Sequence, residues 1–181
     1  MNTIVATGRI KTLFHQAVLL AGIFASVLVE AQPQPLSDQL VADLVFTIEA
    51  GIAEPVVMGD TVDGRRQSIP ITGGVVHGAR IQAEVLAGGA DYQVVGSDGT
   101  THLKAVYMIR TDDGALINVE NEGVLVPPST SGNAEQYFRT SPKFRAPNGK
   151  YGWLNNAIFV CGVRMDPAKP STVIIDVYQL R

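Results

Sequence analysis

Two Asp-Gly pairs, Asp98-Gly99 and Asp113-Gly114, punctuate the stretch from Gly88 to Gly123 and limit what the chain can fold into more than any other feature. Such a pair between alternating runs marks a hairpin, because glycine enters the positive-φ region without steric cost. The stretch spells a three-stranded meander, with Gly88-Gly89 leading into Asp91 and Tyr92. Along its middle run, Leu103, Ala105, Tyr107 and Ile109 share one side, and His102, Lys104, Val106, Met108 and Arg110 share the other. Neither side is purely apolar. A barrel enclosing a few polar groups has this pattern, and so does a strand covered on both faces.

The same alternation recurs on both sides of the meander. Leu44, Phe46, Ile48, Ala50 and Ile52 oppose Val45, Thr47 and Glu49, while Ala79, Ile81, Ala83 and Val85 oppose Arg80, Gln82 and Glu84. Gly59 to Gly64 reads as a turn. Arg65 to Thr72 reads as a strand in which Pro70 marks an edge or a bulge, and Gly73-Gly74 turns into Val75 to His77. Val126 to Ala134 reads as a loop, followed by strands over Tyr137 to Arg145, Leu154 to Arg164 and Thr172 to Leu180. Leu40 to Leu44 has room for one turn of helix, but no segment supports a helix of about ten residues. Nine or ten short strands with turn signals between them predict an all-β fold, an antiparallel barrel of about 8–10 strands with little helix. Closure disposes of exposed edges and leaves room for a small ligand.

The first residues read differently. Arg9 and Lys11 precede an apolar run, Ala17 to Val29, and Val29-Glu30-Ala31 places small residues at the positions a signal peptidase reads. This predicts a signal peptide over 1–31, a polar lead over 32–43 and one barrel domain over 44–181. The alternative is a retained anchor, although the run is short against the about 20 residues of a bilayer span. Cleavage near Ala31 makes the protein secreted or periplasmic, with no stable membrane association once the leader is gone. It also removes Arg9 and Lys11 but only Glu30, so the mature chain is more acidic than the net −3 of the whole sequence. That charge gives no footprint for nucleic acid. Cys161 is the one cysteine, so no intrachain disulfide forms, and its apolar surroundings describe a buried thiol. Self-association into a homo-oligomer stays open.

Several chemistries are set aside by what is missing. The chain has no Gly-x-Gly-x-x-Gly, no phosphate loop, no Cys-x-x-Cys and no His-x-x-x-His. His77 and His102 are the histidines outside the leader, so no metal site is assigned and no cofactor is expected. Ser97 lies in a hairpin turn, not in a nucleophile elbow. What remains is a set of polar residues on strands beside aromatics. Asp91 follows glycines that let backbone approach a ligand, or it caps its own turn. Arg65 and Arg139 lie in β-patterned stretches, where each could hold an oxyanion from an inner face or form an ion pair at the rim. Asn118 and Glu120 share one face with Asn121 opposite, and a solvated face accounts for them equally. Trp153 suits a core plug or a ligand platform.

Read in order, Gly64-Arg65, Gly88 to Asp91, Asp98-Gly99, Thr111 to Ile117, Tyr137 to Phe144 and Tyr151 to Asn155 resemble the domain-of-unknown-function family 3237. The resemblance spans roughly Leu44 to Leu180. It implies a calycin-like, lipocalin-like β-barrel with a central cavity, and cofactor-independent chemistry on aromatic or polyketide-like small molecules, such as ring closure by adding a hydroxyl across an activated alkene. Tyr92 stands where Trp is commoner, and Gly78-Ala79 replaces Gly-Pro. Two functions follow. One is an isomerase or cyclase in which Asp91 moves the proton, Arg65 and Arg139 hold the oxyanion, and Tyr107 or Asn155 orients the substrate, with Asn118, Glu120 and Trp153 completing its binding surface. The other is a non-catalytic exported carrier of a small apolar or aromatic ligand.

Overall fold

The computed structural model describes residues 40–128 and 136–181. The expected leader and its cleavage point, the polar lead up to residue 39 and most of the loop after Val126 lie outside the described residues. The described chain forms ten strands: β1 Ala42–Ile52, β2 Val56–Thr61, β3 Gly64–Gly78, β4 Ile81–Val85, β5 Ala90–Val95, β6 Thr101–Thr111, β7 Leu116–Val126, β8 Tyr137–Arg145, β9 Phe159–Asp166 and β10 Lys169–Leu180. A short 3₁₀ turn, Gly152–Asn156, precedes β9.

All neighbouring strands are antiparallel, and the sheet closes on itself. Going round, β1 pairs with β10, then β9, β8, β7 and β6 follow, and β3 returns to β1. β4 and β5 share one place between β6 and β3. β4 meets Gly74–Gly78 and β5 meets Arg65–Pro70 of the same long strand. Ten strands therefore fill the eight positions of a closed barrel, the number at which side chains fill the interior or leave space for one small ligand. β2 continues past the end of β1 and folds back on the start of β3 through a tight turn at Val62-Asp63.

Several local expectations are corrected. The turn expected over Gly59 to Gly64 shrinks to Val62-Asp63, because β2 runs to Thr61. The strand expected from Leu154 begins only at Phe159, because Gly152–Asn156 form the 3₁₀ turn. Leu40 to Leu44 is not helical. Val41 and Arg181 exchange backbone hydrogen bonds at 3.0 and 2.8 Å, which draws this segment into β1 beside the end of β10. Gly73-Gly74 is not a turn, because β3 runs straight through it. β1 crosses so closely there that a Cβ on Gly74 would meet the Glu49 carbonyl oxygen at 2.0 Å. Leu44 is exposed, because a bulge between Leu44 and Phe46 resets the alternation before Phe46, Ile48 and Ala50 turn inward.

The inward residues divide the barrel lengthwise. One half is packed solid by Phe46, Phe144 and Phe159, whose rings meet edge to face at centroid distances of 5.7 and 5.1 Å. Ile109, Ile117, Val119 and Leu154 fill around them. Such aromatic pairs contribute about 0.5–1.5 kcal/mol each beyond the area they bury. The other half holds a cavity.

Candidate functional site

The break between β4 and β5 places the first polar group of the site. Gly88 has φ +106°, and a Cβ on Gly89 would lie 2.5 Å from both the Val106 carbonyl oxygen and the Tyr107 Cβ. Only glycine lets the chain pass so close to β6 and re-enter the sheet two residues later with Asp91 pointing inward. Asp91 then pairs with Ala105 of β6, and Ala105 with Asn121 of β7, so the three lie in one row across the barrel wall. Two residues farther along β7, a Cβ on Gly123 would meet the Thr140 Cγ2 at 2.4 Å, so β8 approaches through this gap and brings Thr140 to the interior.

These residues border a cavity of about 230 Å³. Its walls are largely apolar, with Ile69, Ile71, Leu103, Phe138, Val163 and Ile175 among them. Set into them are Asp91, Gln93, Tyr107, Asn121 and Thr140. Four polar atoms among the described residues are buried with no hydrogen-bond partner: Asp91 Oδ1, Tyr107 OH, Asn121 Oδ1 and Thr140 Oγ1. All four belong to residues that line this one cavity. A buried unpaired polar group costs about 1–3 kcal/mol. Here all four gather in one recess and are not scattered through the core.

The electrostatics follow from burial. Gln93 Nε2 donates to Asp91 Oδ2 at 2.6 Å and favours the ionised carboxylate. Desolvation outweighs that bond and lifts the Asp91 carboxyl to about 6. Tyr107 is buried, and its phenol stands well above the ordinary range, first through desolvation, then through the neighbouring Cys161 and Asp91. It is therefore a neutral donor at any physiological pH. Burial also pushes the Cys161 thiol up to about 12, which makes it inert. Among the described residues, no three His, Cys, Asp or Glu side chains come together at metal-binding spacing.

Of the residues singled out in the sequence, the structure brings Asp91 and Tyr107 together in the cavity and places the others elsewhere. Arg65 has the inward parity of Gln67 and Ile69, but it lies at the start of β3, exposed and outside the cavity lining. Arg139 points outward because its neighbour Thr140 takes the inward place. Its guanidinium donates to the Phe138 carbonyl and lies 5.4 Å from the Tyr137 ring centre. Asn118 and Glu120 are on the outer face of β7, where Glu120 pairs with Lys104 at 3.4 Å. Trp153 packs edge to face against Phe46 and Phe159 in the solid half, with the Arg80 guanidinium 3.9 Å above its ring. Asn155 holds the Ala146 backbone through both its amide atoms at 2.9 and 2.8 Å, outside the cavity.

Gln93 and Thr140 are not among the residues singled out in the sequence, and Asn121 enters there only as the residue opposite Asn118 and Glu120. Each carried a signal in its parity. Asn121 follows the buried Ile117 and Val119 at every second residue, Thr140 shares the side of Phe138 and Phe144, and Gln93 shares that of Asp91. A polar residue on an otherwise buried stripe needs a partner or a function.

The chain has clear relatives. The model of the family described as "Protein of unknown function (DUF3237)" matches residues 41–180. A UPF0311 protein of Clostridium acetobutylicum is 39% identical over 147 residues, which cover 75% of this chain and 91% of that protein. The crystal structure of a conserved protein of unknown function from Rhodopseudomonas palustris aligns with a TM-score of 0.72 at 35% identity, covering 80% of this chain and 100% of that one. A hydroalkoxylation enzyme of Penicillium herquei is 31% identical over 145 residues, 79% of this chain and 84% of the enzyme.

Proposed function

Since the chain belongs to the DUF3237 family, whose relatives include a hydroalkoxylation enzyme, we propose that its cavity is the active site of a cofactor-independent cyclase that adds a hydroxyl across an activated alkene within one small molecule. The observation that carries this reading is the convergence of four unpartnered polar atoms, one of them a carboxylate oxygen, on a single apolar cavity. Ionised Asp91 takes the hydroxyl proton through Oδ1 as the oxygen forms the new C–O bond. When the alkene is conjugated to a carbonyl, its electrons move onto the carbonyl oxygen, and the resulting enolate accepts hydrogen bonds from the Tyr107 and Thr140 hydroxyls. Asp91 then returns the proton to carbon, so no atoms are gained or lost. A positioned base of this type contributes about 10²–10⁴-fold, and a preorganised oxyanion donor about 10²–10³-fold. This assigns to Tyr107 and Thr140 the oxyanion role that the sequence suggested for Arg65 and Arg139.

The cavity also limits the substrate. A cavity of about 150 Å³ suffices for benzene, so about 230 Å³ suits one substituted ring. Asp91 is the charged residue of the lining among the described residues, which disfavours carboxylate or phosphate substrates by like-charge repulsion in a dry site.

The test uses 1-(2-hydroxyphenyl)but-2-en-1-one, which closes to 2-methylchroman-4-one. The expected result is ring closure with an excess of one enantiomer over the racemic background, with a rate that rises with pH and levels off above about 6 as Asp91 ionises. Asp91→Asn is expected to abolish that excess while still binding the probe. The apolar walls also suit a non-catalytic carrier. Tight binding of the probe, with only racemic product from the parent protein, would favour that second function.

A further inference from the structure

Asp91 does not stand alone behind the cavity wall. Gln67 Nε2 donates to Gln93 Oε1 at 2.8 Å, and Gln93 Nε2 donates to Asp91 Oδ2 at 2.6 Å. Gln67 and Gln93 face each other in register across β3 and β5, and both bonds are part-buried. A carboxylate oxygen can only accept, so Gln93 must present its NH₂ group to Asp91. Its carbonyl oxygen is then turned to Gln67, which must present NH₂ in its turn. One polarity makes both bonds.

We infer that Gln67 and Gln93 act as positioning residues, a two-amide relay that fixes which Asp91 oxygen is engaged by the protein and which is left open to the cavity. The consequence for catalysis rests on the function proposed for Asp91; the relay itself does not. Gln93 ties down Oδ2, so the unpartnered Oδ1 is the oxygen that meets a ligand. Gln67 prevents the Gln93 amide from rotating to offer its oxygen to Asp91, an orientation that would welcome the protonated acid. The relay therefore biases Asp91 toward the ionised form inside a site whose burial pushes the other way. Among the described residues, the titratable groups around Asp91 are Tyr107 of β6 and, next to Tyr107, Cys161 of β9. Burial keeps both neutral over the range in which Asp91 titrates.

The test reads the carboxyl directly, by following the carboxyl ¹³C shift of Asp91 with pH in the full chain labelled at aspartate, with the signal assigned by its loss in Asp91→Asn. Gln93→Leu removes the bond to Oδ2 and is expected to raise the midpoint by about one pH unit. Gln67→Leu leaves Gln93 in place but frees it to rotate, and is expected to raise the midpoint by a smaller amount. Gln67→Leu leaves the cavity lining intact, so it tests the relay even where Gln93→Leu folds poorly. An unchanged midpoint in Gln67→Leu overturns the relay. If both midpoints rise while the pH dependence of ring closure stays put, the relay stands and the catalytic role of Asp91 falls.

Discussion

On β6, Ile109 packs into a filled end of the barrel, whereas Leu103 and Ala105, a few residues earlier on the same face, border open space. β7 repeats the contrast with Val119 and Asn121, and β8 repeats it with Phe144 and Thr140. The tyrosines of the two halves make the difference plain. Tyr151, at the filled end, donates its hydroxyl to Asp113 at 2.9 Å, while Tyr107, at the cavity end, has no partner for its own. One closed sheet thus carries a half built for stability, with no buried side-chain polar atom left unpaired among the described residues, and a half that retains four such atoms. Proteins keep unfavourable features of the second kind where binding or chemistry requires them.

The contrast makes quantitative predictions. The largest effect belongs to the filled half. Phe144→Ala is expected to cost about 3–5 kcal/mol in urea unfolding, because two edge-to-face ring contacts are lost and the site cannot collapse. Leu103→Ala, beside space that is already empty, is expected near the low end of the range for such truncations, about 2 kcal/mol. A larger loss for Leu103→Ala would erase the distinction between the halves.

Next in size is the pH dependence of Asp91. Its carboxyl titrates near 6 in the folded protein against 3.8 for a free aspartate. The fold therefore favours the protonated acid, and that contribution is complete below about 4 and lost as the pH rises through about 6. Asp91→Asn should accordingly be more stable than the parent at pH 8, by about 3 kcal/mol. The advantage should vanish below pH 4. Equal stability at both pH values would mean that Asp91 is as well solvated as a surface carboxylate.

The two tyrosines provide a smaller and cleaner comparison. Tyr151→Phe removes a hydroxyl bonded to Asp113, so its Tm should fall. Tyr107→Phe removes an unpartnered hydroxyl and should leave Tm within about 1 °C of the parent or raise it. A fall for Tyr107→Phe as large as that for Tyr151→Phe would show that its hydroxyl is satisfied in the free protein. Smallest is Arg80→Ala, which uncovers the Trp153 ring and should cost about 0.5 kcal/mol, the value for a cation–π contact at an exposed site.

Much of the barrel could be read before any coordinates. The Asp-Gly turns at Asp98-Gly99 and Asp113-Gly114 are hairpin turns with glycine at positive φ, and the strand faces of β4, β6 and β7 follow the alternation residue by residue. Where the sequence misled, the cause was a neighbour that lies far away along the chain. Gly73-Gly74 looks like a turn until β1 is laid across it. Arg139 looks like an inward anchor until the pairing of β8 gives that side to Thr140. Asn118 and Glu120 looked no less eligible than Asn121, because period-two alternation separates the two faces without saying which of them is enclosed.

The sequence by itself determined that this chain is built of short antiparallel strands, since turn chemistry and period-two patterning are local properties that each segment carries with it, and its six motifs in order carried the resemblance to the DUF3237 family. The tertiary structure decided where the interior is full and where it is hollow. That depends on the summed volume of side chains from all eight positions around the barrel, with three phenylalanines meeting at one end and the small Ala50, Ala105 and Thr140 lining the cavity at the other. It also decided that Asp91, Tyr107, Asn121 and Thr140 share one space, because register between strands, and not spacing along any one of them, brings their free atoms together.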